Sequence, residues 1–151
     1  MKAILGFRGL YRFLSNFYKS PIIYRGDTYT TAEHLFQSFK TRDLHIRRII
    51  REISLPEDAK RFGRKIDLRD DWEDVKDNAM FITLKLKFSQ NQKLKKCLLN
   101  TGNRFLKESN YWHDNYWGDC FCPKCNPIQG RNQLGKTLMR VRKLLQERND
   151  D

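Results

Sequence analysis

Leu134, Leu138, Val141 and Leu145 recur at three- and four-residue intervals near the C-terminus, a spacing that lays apolar side chains along one side of an α-helix. The helix they predict begins near Asn132. Upstream, Asp71 to Phe88 carries the longest helical pattern of the chain, Leu94 to Leu99 continues as another helix, and Asn100-Thr101-Gly102-Asn103 closes it. Two further helices are predicted, one over Leu44 to Ile53 and one that begins after Pro56, where the charges of Glu57-Asp58 suit a helix N-terminus, and is ended by Gly63. Thr30-Thr31-Ala32-Glu33 has the Ser/Thr-x-x-Glu form of a capping box, so a helix should run from there to about Lys40 with Leu35, Phe36 and Phe39 facing the core. Before it, Phe17-Tyr18, Pro21 to Tyr24 and Arg25 to Tyr29 mix strand and turn formers and predict a small hairpin turning at Gly26-Asp27. Residues 109 to 131 show no period. Their aromatic, Asn, Asp, Gly and Cys content reads as a long functional loop covering a site. The sum is a mainly α (α+β) fold: a single compact helical domain over residues 1–151 with a small N-terminal β-hairpin.

The polar residues inside the apolar patterns bear on function. Projected at about 100° per residue, the long helix is apolar over much of its circumference, through Val75, Ala79, Met80, Phe81, Ile82, Leu84, Leu86 and Phe88. Asp74, Asn78 and Lys85 form one sector that can face water. Trp72, Lys76, Thr83, Lys87 and Gln90 form a second stripe that could line a pocket, although spacing alone favours Trp72 as core and Lys76 and Lys87 as snorkelling side chains. On the first helix Glu33, Gln37 and Lys40 share a face. Taken alone, Glu33 can be the capping-box residue and Lys40 a favourable charge at a helix C-terminus.

Composition narrows the class. The apolar fraction is 39%, with ten Phe, six Tyr and three Trp to fill a core. Lys and Arg number 30 against 18 acidic residues, a formal charge of +12, which favours phosphorylated small molecules, nucleic acid or anionic membrane as partners. The apolar stretch at the N-terminus is too short for a signal peptide, and nowhere do about 18 apolar residues run together. A cytoplasmic location and no membrane partner are expected, and the four cysteines then read as thiols or metal ligands before disulfides.

Two local motifs invite chemistry. Gly130-Arg131-Asn132-Gln133-Leu134-Gly135-Lys136-Thr137 matches the phosphate-loop pattern G-x-x-x-x-G-K-[ST]. A true phosphate loop follows a buried strand and needs later strands, which the short remainder of this chain cannot supply. What survives is Asn132 as a helix cap, with backbone N–H groups and Lys136 near a helix N-terminus that could hold a phosphate. Cys120, Cys122 and Cys125 could give three thiolates to a structural zinc, with His113 or Cys97 as the fourth ligand.

Several separated segments together resemble one family. They are Phe13-Leu14-Ser15-Asn16-Phe17-Tyr18, then Tyr29-x-Thr31-x-Glu33-His34-x-Phe36-Gln37-x-x-Lys40, then Gly63-Arg64, Arg69, Trp72-x-x-Val75-Lys76 and Leu84-x-x-Lys87-Phe88. Asp114-x-Tyr116-Trp117-Gly118 and Gly130-x-Asn132-x-Leu134-Gly135-x-x-Leu138-Met139-x-x-Arg142 follow in order. On these the chain is identified as similar to the NADAR (YbiA-like) family. The cysteine cluster between Gly118 and Gly130 departs from the family pattern.

The resemblance implies a mainly helical fold with a small strand element and an N-glycosidase that requires no cofactor. The expected substrates are an early riboflavin-pathway ribosylaminopyrimidine phosphate or ADP-ribosylated guanine in nucleic acid. Cleaving C1′ from a base nitrogen develops positive charge on the sugar, so Glu33 and Asp114 are the candidate carboxylates. Resemblance also allows an amine to attack C1′ and form a Schiff base, with Lys40 the first candidate and Lys87 the second. Arg64, Lys76 and Lys136 would hold phosphate oxygens, Trp72 and Trp117 would stack on the base or enclose the sugar, and Asn16 and Asn132 would bind ribose hydroxyls. Phe17 and Gly118 complete the substrate-binding candidates. The alternative from another class is a non-catalytic basic module that binds nucleic acid or nucleotides.

Overall fold

The protein is described by a computed structural model covering residues 2–149. In chain order its elements are β1 (Ile4–Leu5), a 3-10 helix (Gly9–Leu14), β2 (Lys19–Tyr24), β3 (Asp27–Thr31), α1 (Ala32–Ser38), α2 (Leu44–Glu52) and α3 (Pro56–Gly63). There follow α4 (Trp72–Gln90), α5 (Gln92–Leu99), β4 (Leu106–Lys107), β5 (Ser109–Asn110), β6 (Asp119–Cys120) and α6 (Gln133–Glu147). The fold is mainly helical α+β, as the periodicities predict. The chain forms two units, one of Asn16–Asn91 and one of Met1–Ser15 with Gln92–Asp151.

The unit of residues 16–91 is built on the hairpin. β2 and β3 pair antiparallel with Tyr24 opposite Asp27 and Ile22 opposite Tyr29, which leaves Arg25-Gly26 as a two-residue turn. Both turn residues have positive φ, 50° and 84°, the combination whose twist matches a hairpin. The turn therefore falls one residue earlier than the sequence suggests, because strand register rather than composition fixes it. Ile22 and Tyr29 are buried, and α1 follows β3 without a loop. α1 packs against α2, α3 and α4, while α4 also lies on β2. Gln90, expected in a pocket-lining stripe, instead holds the strand edge: its amide donates to the Ile23 carbonyl at 2.7 Å and accepts from the Ile23 N–H at 2.8 Å.

In the second unit the stripe of Leu134, Leu138, Val141 and Leu145 is buried as predicted, and α6 packs on β4 and α5. β1 pairs with β4 and β5 with β6, both in parallel. The span 109–131 is thus a loop pinned by one short strand pair. The 3-10 helix and these two-residue strands are too short to carry a readable period. Among the described residues no helix is long and apolar enough to cross a membrane.

Candidate functional site

The first surprise in the 16–91 unit is the start of α1. Its N-cap is Thr31, in extended backbone geometry, with the Thr31 hydroxyl accepting from the His34 N–H at 3.2 Å. A reciprocal capping residue would then stand at 34, where His34 sits, so Glu33 is not the capping partner the sequence pattern suggested. His34 is fully buried and satisfied: Nε2 donates to the Ile53 carbonyl at 2.9 Å and Nδ1 lies 2.7 Å from the Thr31 hydroxyl. Burial lowers its pKa, the Ile53 hydrogen bond opposing.

Glu33 is released for another role, yet it does not face water. It is 6% exposed. Its backbone N–H donates to the Asn16 carbonyl at 3.0 Å and its carboxylate accepts from Gln37 Nε2 at 2.5 Å. Burial raises the Glu33 pKa, against the Gln37 hydrogen bond and the charges of Lys60, Lys40 and Arg64. Lys40 moves the other way: burial lowers its pKa, Glu33 opposes, and Arg64 and Lys60 push it further down. Acid and amine thus share one electrostatic neighbourhood, their ionisations drawn toward each other. Lys60 is the member that sequence reasoning missed. It stands four residues before Arg64, hence on the same face of α3, and its Nζ lies 5.8 Å from the centre of the Phe17 ring. That four-residue spacing was the available signal.

Two buried amide oxygens near these groups, Asn16 Oδ1 and Gln37 Oε1, have no hydrogen-bond partner among the described residues. Buried acceptors are seldom left so, and both oxygens can still accept a hydrogen bond. Asn16 Nδ2 is directed at the Met80 sulfur, 3.4 Å away. Gly63 lets α3 approach this spot, since a Cβ there would fall on the Gln37 amide oxygen. Gly63→Ala is therefore expected to destabilise the protein by about 1–3 kcal/mol and to impair turnover by displacing Gln37 from Glu33, as urea unfolding and initial rates would show.

On α4, Trp72 is buried with its ring 5.4 Å from that of Phe36, and half-buried Lys76 pairs with Glu73 at 2.6 Å. Thr83 donates to the Ala79 carbonyl at 2.8 Å. Lys87 does not snorkel. It is 1% exposed, with Nζ 5.1 Å from the Phe88 ring centre and 5.8 Å from that of Tyr18, and burial brings its pKa down to about 7. A cavity of about 310 Å³ lies elsewhere in this unit, with Tyr24, Tyr29, Arg47 and Arg51 among its walls. Arg47 there is held by the Ser38 and Thr41 carbonyls, and Arg51 by Asp27.

The remaining sequence candidates belong to the other unit, where they build a turn. Asp114 Oδ1 accepts from the N–H groups of Tyr116 (3.1 Å) and Trp117 (2.9 Å). The carbonyls of Tyr116, Trp117 and Gly118 then accept from Gln133, Leu134 and Asn132, so the start of α6 is capped by backbone. Asn132 has a left-handed φ of 52° and makes no side-chain cap, contrary to expectation. Its buried amide bridges the chain instead, donating to the Leu106 carbonyl at 2.9 Å and accepting from the Glu108 N–H at 2.9 Å. Gly135 is needed because a Cβ would strike the Leu106 carbonyl. The residues of the phosphate-loop pattern thus serve packing, and of the expected phosphate anchor only Lys136 remains exposed. Beside this turn, His113, Cys120, Cys122 and Cys125 present donor atoms all within 4.8 Å of one another, a cluster that could hold a metal ion; Cys97 is not part of it.

A buried carboxyl whose pKa is raised, in the field of a lysine whose pKa is lowered, is the kind of pairing that concentrates at the working sites of enzymes. Residues 7–146 match the model of the NADAR domain, and the chain belongs to that family. It is 41% identical over 133 residues to the N-glycosidase YbiA of Escherichia coli (strain K12), covering 87% of this chain and 79% of that protein. It is 35% identical over 137 residues to a riboflavin biosynthesis protein of Vibrio vulnificus, 89% of this chain but 36% of the longer relative. The solution NMR structure of E. coli YbiA superposes with a TM-score of 0.85 at 36% identity, over all of this chain and 90% of that one.

Proposed function

We propose that the protein releases a base from C1′ of a phosphorylated ribose, with Glu33 as the proton donor and acceptor and Lys40 as the attacking amine. That it is a hydrolase acting on N-glycosyl bonds follows from membership of a family whose close relatives are named for that activity. The observation that carries the residue assignment is the buried Glu33 in the field of Lys40, Lys60 and Arg64. A carboxyl with a raised pKa holds its proton to higher pH and can give it to the departing base, and an amine with a lowered one frees its lone pair at lower pH than an ordinary lysine. When the base is attached through an amine nitrogen, opening the sugar ring makes C1′ an iminium carbon. Lys40 Nζ adds there, the base leaves with a proton from Glu33, and water hydrolyses the lysyl imine.

Lys60 and Arg64 would hold the phosphate, joined by Lys76 from the sequence reading, while Asn16 Oδ1 and Gln37 Oε1 would accept ribose hydroxyls. Asp114 enters as the residue that shapes the Trp117 turn. The chemistry uses no cofactor, and a metal in the cysteine cluster would serve architecture. The favoured substrate is an early riboflavin-pathway ribosylaminopyrimidine phosphate, in keeping with the names of the relatives. Borohydride added during turnover should attach the sugar covalently to Lys40, seen as a mass increase on its peptide that disappears in Lys40→Arg. Full turnover with no trapped adduct would assign direct attack by water instead.

One observation favours a substrate carried on nucleic acid. Tyr111, Trp112 and Phe121 are exposed, 60%, 49% and 59%, with the Tyr111 ring 5.4 and 6.1 Å from the other two. Adjacent exposed aromatic rings on a +12 chain suit stacking on unpaired bases. Turnover on ADP-ribosylated guanine in single-stranded DNA, measured beside the ribosylaminopyrimidine phosphates, separates the two substrates; binding of unmodified oligonucleotide with no base released from either would support the non-catalytic module.

A further inference from the structure

We propose that His113, Cys120, Cys122 and Cys125 bind one zinc ion, and that this ion stiffens the turn on which α6 is capped. The four cysteines of the chain are all free thiols, and three of them converge while Cys97 stays apart. His113 Nδ1 lies 3.2 Å from Cys122 Sγ and 3.4 Å from Cys125 Sγ, and the His113 N–H points at Cys120 Sγ from 3.3 Å. Zinc bonds of about 2.0 Å to nitrogen and 2.3 Å to sulfur, set tetrahedrally, place ligand atoms roughly 3.5–4 Å apart. The whole group fits within 4.8 Å, so small side-chain adjustments close the tetrahedron. Three thiolates and one imidazole form a soft, complete donor set, which selects zinc over oxygen-seeking cations and leaves no open position for a reacting water. The site is structural.

Backbone geometry supports a loop built around this cluster. His113 is a non-glycine residue at φ 70°, a conformation that surrounding interactions must hold. The ligands bracket the segment Asp114 to Asp119, and their neighbours are pinned: Asn115 Oδ1 accepts from the Cys120 N–H at 2.8 Å, and Asp119 Oδ1 accepts from the Gly130 N–H at 2.7 Å. That same segment supplies the Tyr116, Trp117 and Gly118 carbonyls on which α6 begins. A metal at the cluster therefore fixes the start of the C-terminal helix as well as the loop. With His113 exposed and Cys122 and Cys125 half-buried, the ion is reachable without unfolding the chain.

The test is the metal content of the whole protein, purified under reducing conditions without chelator. About one zinc per chain by mass spectrometry is expected, released by a thiol-specific mercurial in step with modification of three cysteines. Cys122→Ser should lose most of the zinc and lower the melting temperature, whereas Cys97→Ser should retain it. Because Cys122→Ser could fold poorly, cobalt(II) titration of the metal-stripped wild type provides an independent reading. Tetrahedral thiolate binding should give intense charge-transfer absorption, with zinc displacing the cobalt. Wild-type protein that is purified with less than about a tenth of a zinc per chain and shows no such absorption would overturn the proposal, as would Cys97→Ser losing the metal while Cys122→Ser keeps it.

Discussion

Glu33→Gln is expected to lower turnover by about 10²- to 10⁴-fold, the range removed with a general acid or base, while leaving the protein folded. The replacement preserves the size of a side chain that is 6% exposed and can still hydrogen-bond Gln37. Stability should not suffer. Burial raises the Glu33 pKa above its ordinary 4.5, so any stability it contributes through bound protons is present at low pH and lost as pH rises through the folded value. The amide carries no charge at any pH, so it removes the cost of ionising a buried carboxyl and should hold or raise the melting temperature on the alkaline side of the raised Glu33 pKa. The pH–rate profile supplies the sharper reading. Protonated Glu33 is the donor, so wild-type activity should fall as pH climbs through its raised pKa, and that limb should be missing from the residual activity of the variant. Near-normal turnover in a folded Glu33→Gln would remove this residue from the mechanism.

The main helices were legible because each carries its own signal. The leucine stripe of α6, Pro56 with two acids at α3, and the length of α4 identify those elements without tertiary information. The elements that escaped are governed by distant partners: β1 exists because Ile4 and Leu5 meet Leu106 and Lys107. The site was legible in part for the same reason. The spacing of Glu33 and Lys40 puts them on one side, although α1 ends at Ser38 and Lys40 lies in the turn beyond it. Adjacent Thr30 and Thr31 offer two capping registers, and only the end of β3 chooses Thr31. Lys60 carries no such signal of its own, because the ends of α3 are marked by Pro56 and Gly63 while the face that holds Lys60 shows only in its spacing to Arg64. Spacing alone does not choose between His113 and Cys97 as the fourth member of the cysteine cluster, because that depends on how a loop folds back, which no period encodes.

Lys87 shows the limit of a helical wheel most clearly, because spacing puts it on a stripe without saying whether its amine reaches water. With Nζ buried and its pKa about 7 against an ordinary 10.5, the folded state resists the proton that the unfolded chain accepts. Stability should therefore rise as pH increases from about 7 to 10.5, the window in which the unfolded chain binds more protons, and the full penalty should stand below pH 7. Since one pKa unit is worth about 1.4 kcal/mol, that separation corresponds to a few kcal/mol. Lys87→Met keeps the volume without the charge, so it should raise the urea midpoint at pH 7 and flatten the slope across that window. Buried groups with displaced ionisation concentrate at working sites, and a stability cost of this kind is the usual counterpart of a functional group. Lys87→Met should accordingly be more stable and less active. Borohydride trapping then divides the roles: an adduct still formed on Lys40 in this variant makes Lys87 an auxiliary to the reaction, whereas loss of the adduct with Lys40 intact moves the attacking amine to Lys87.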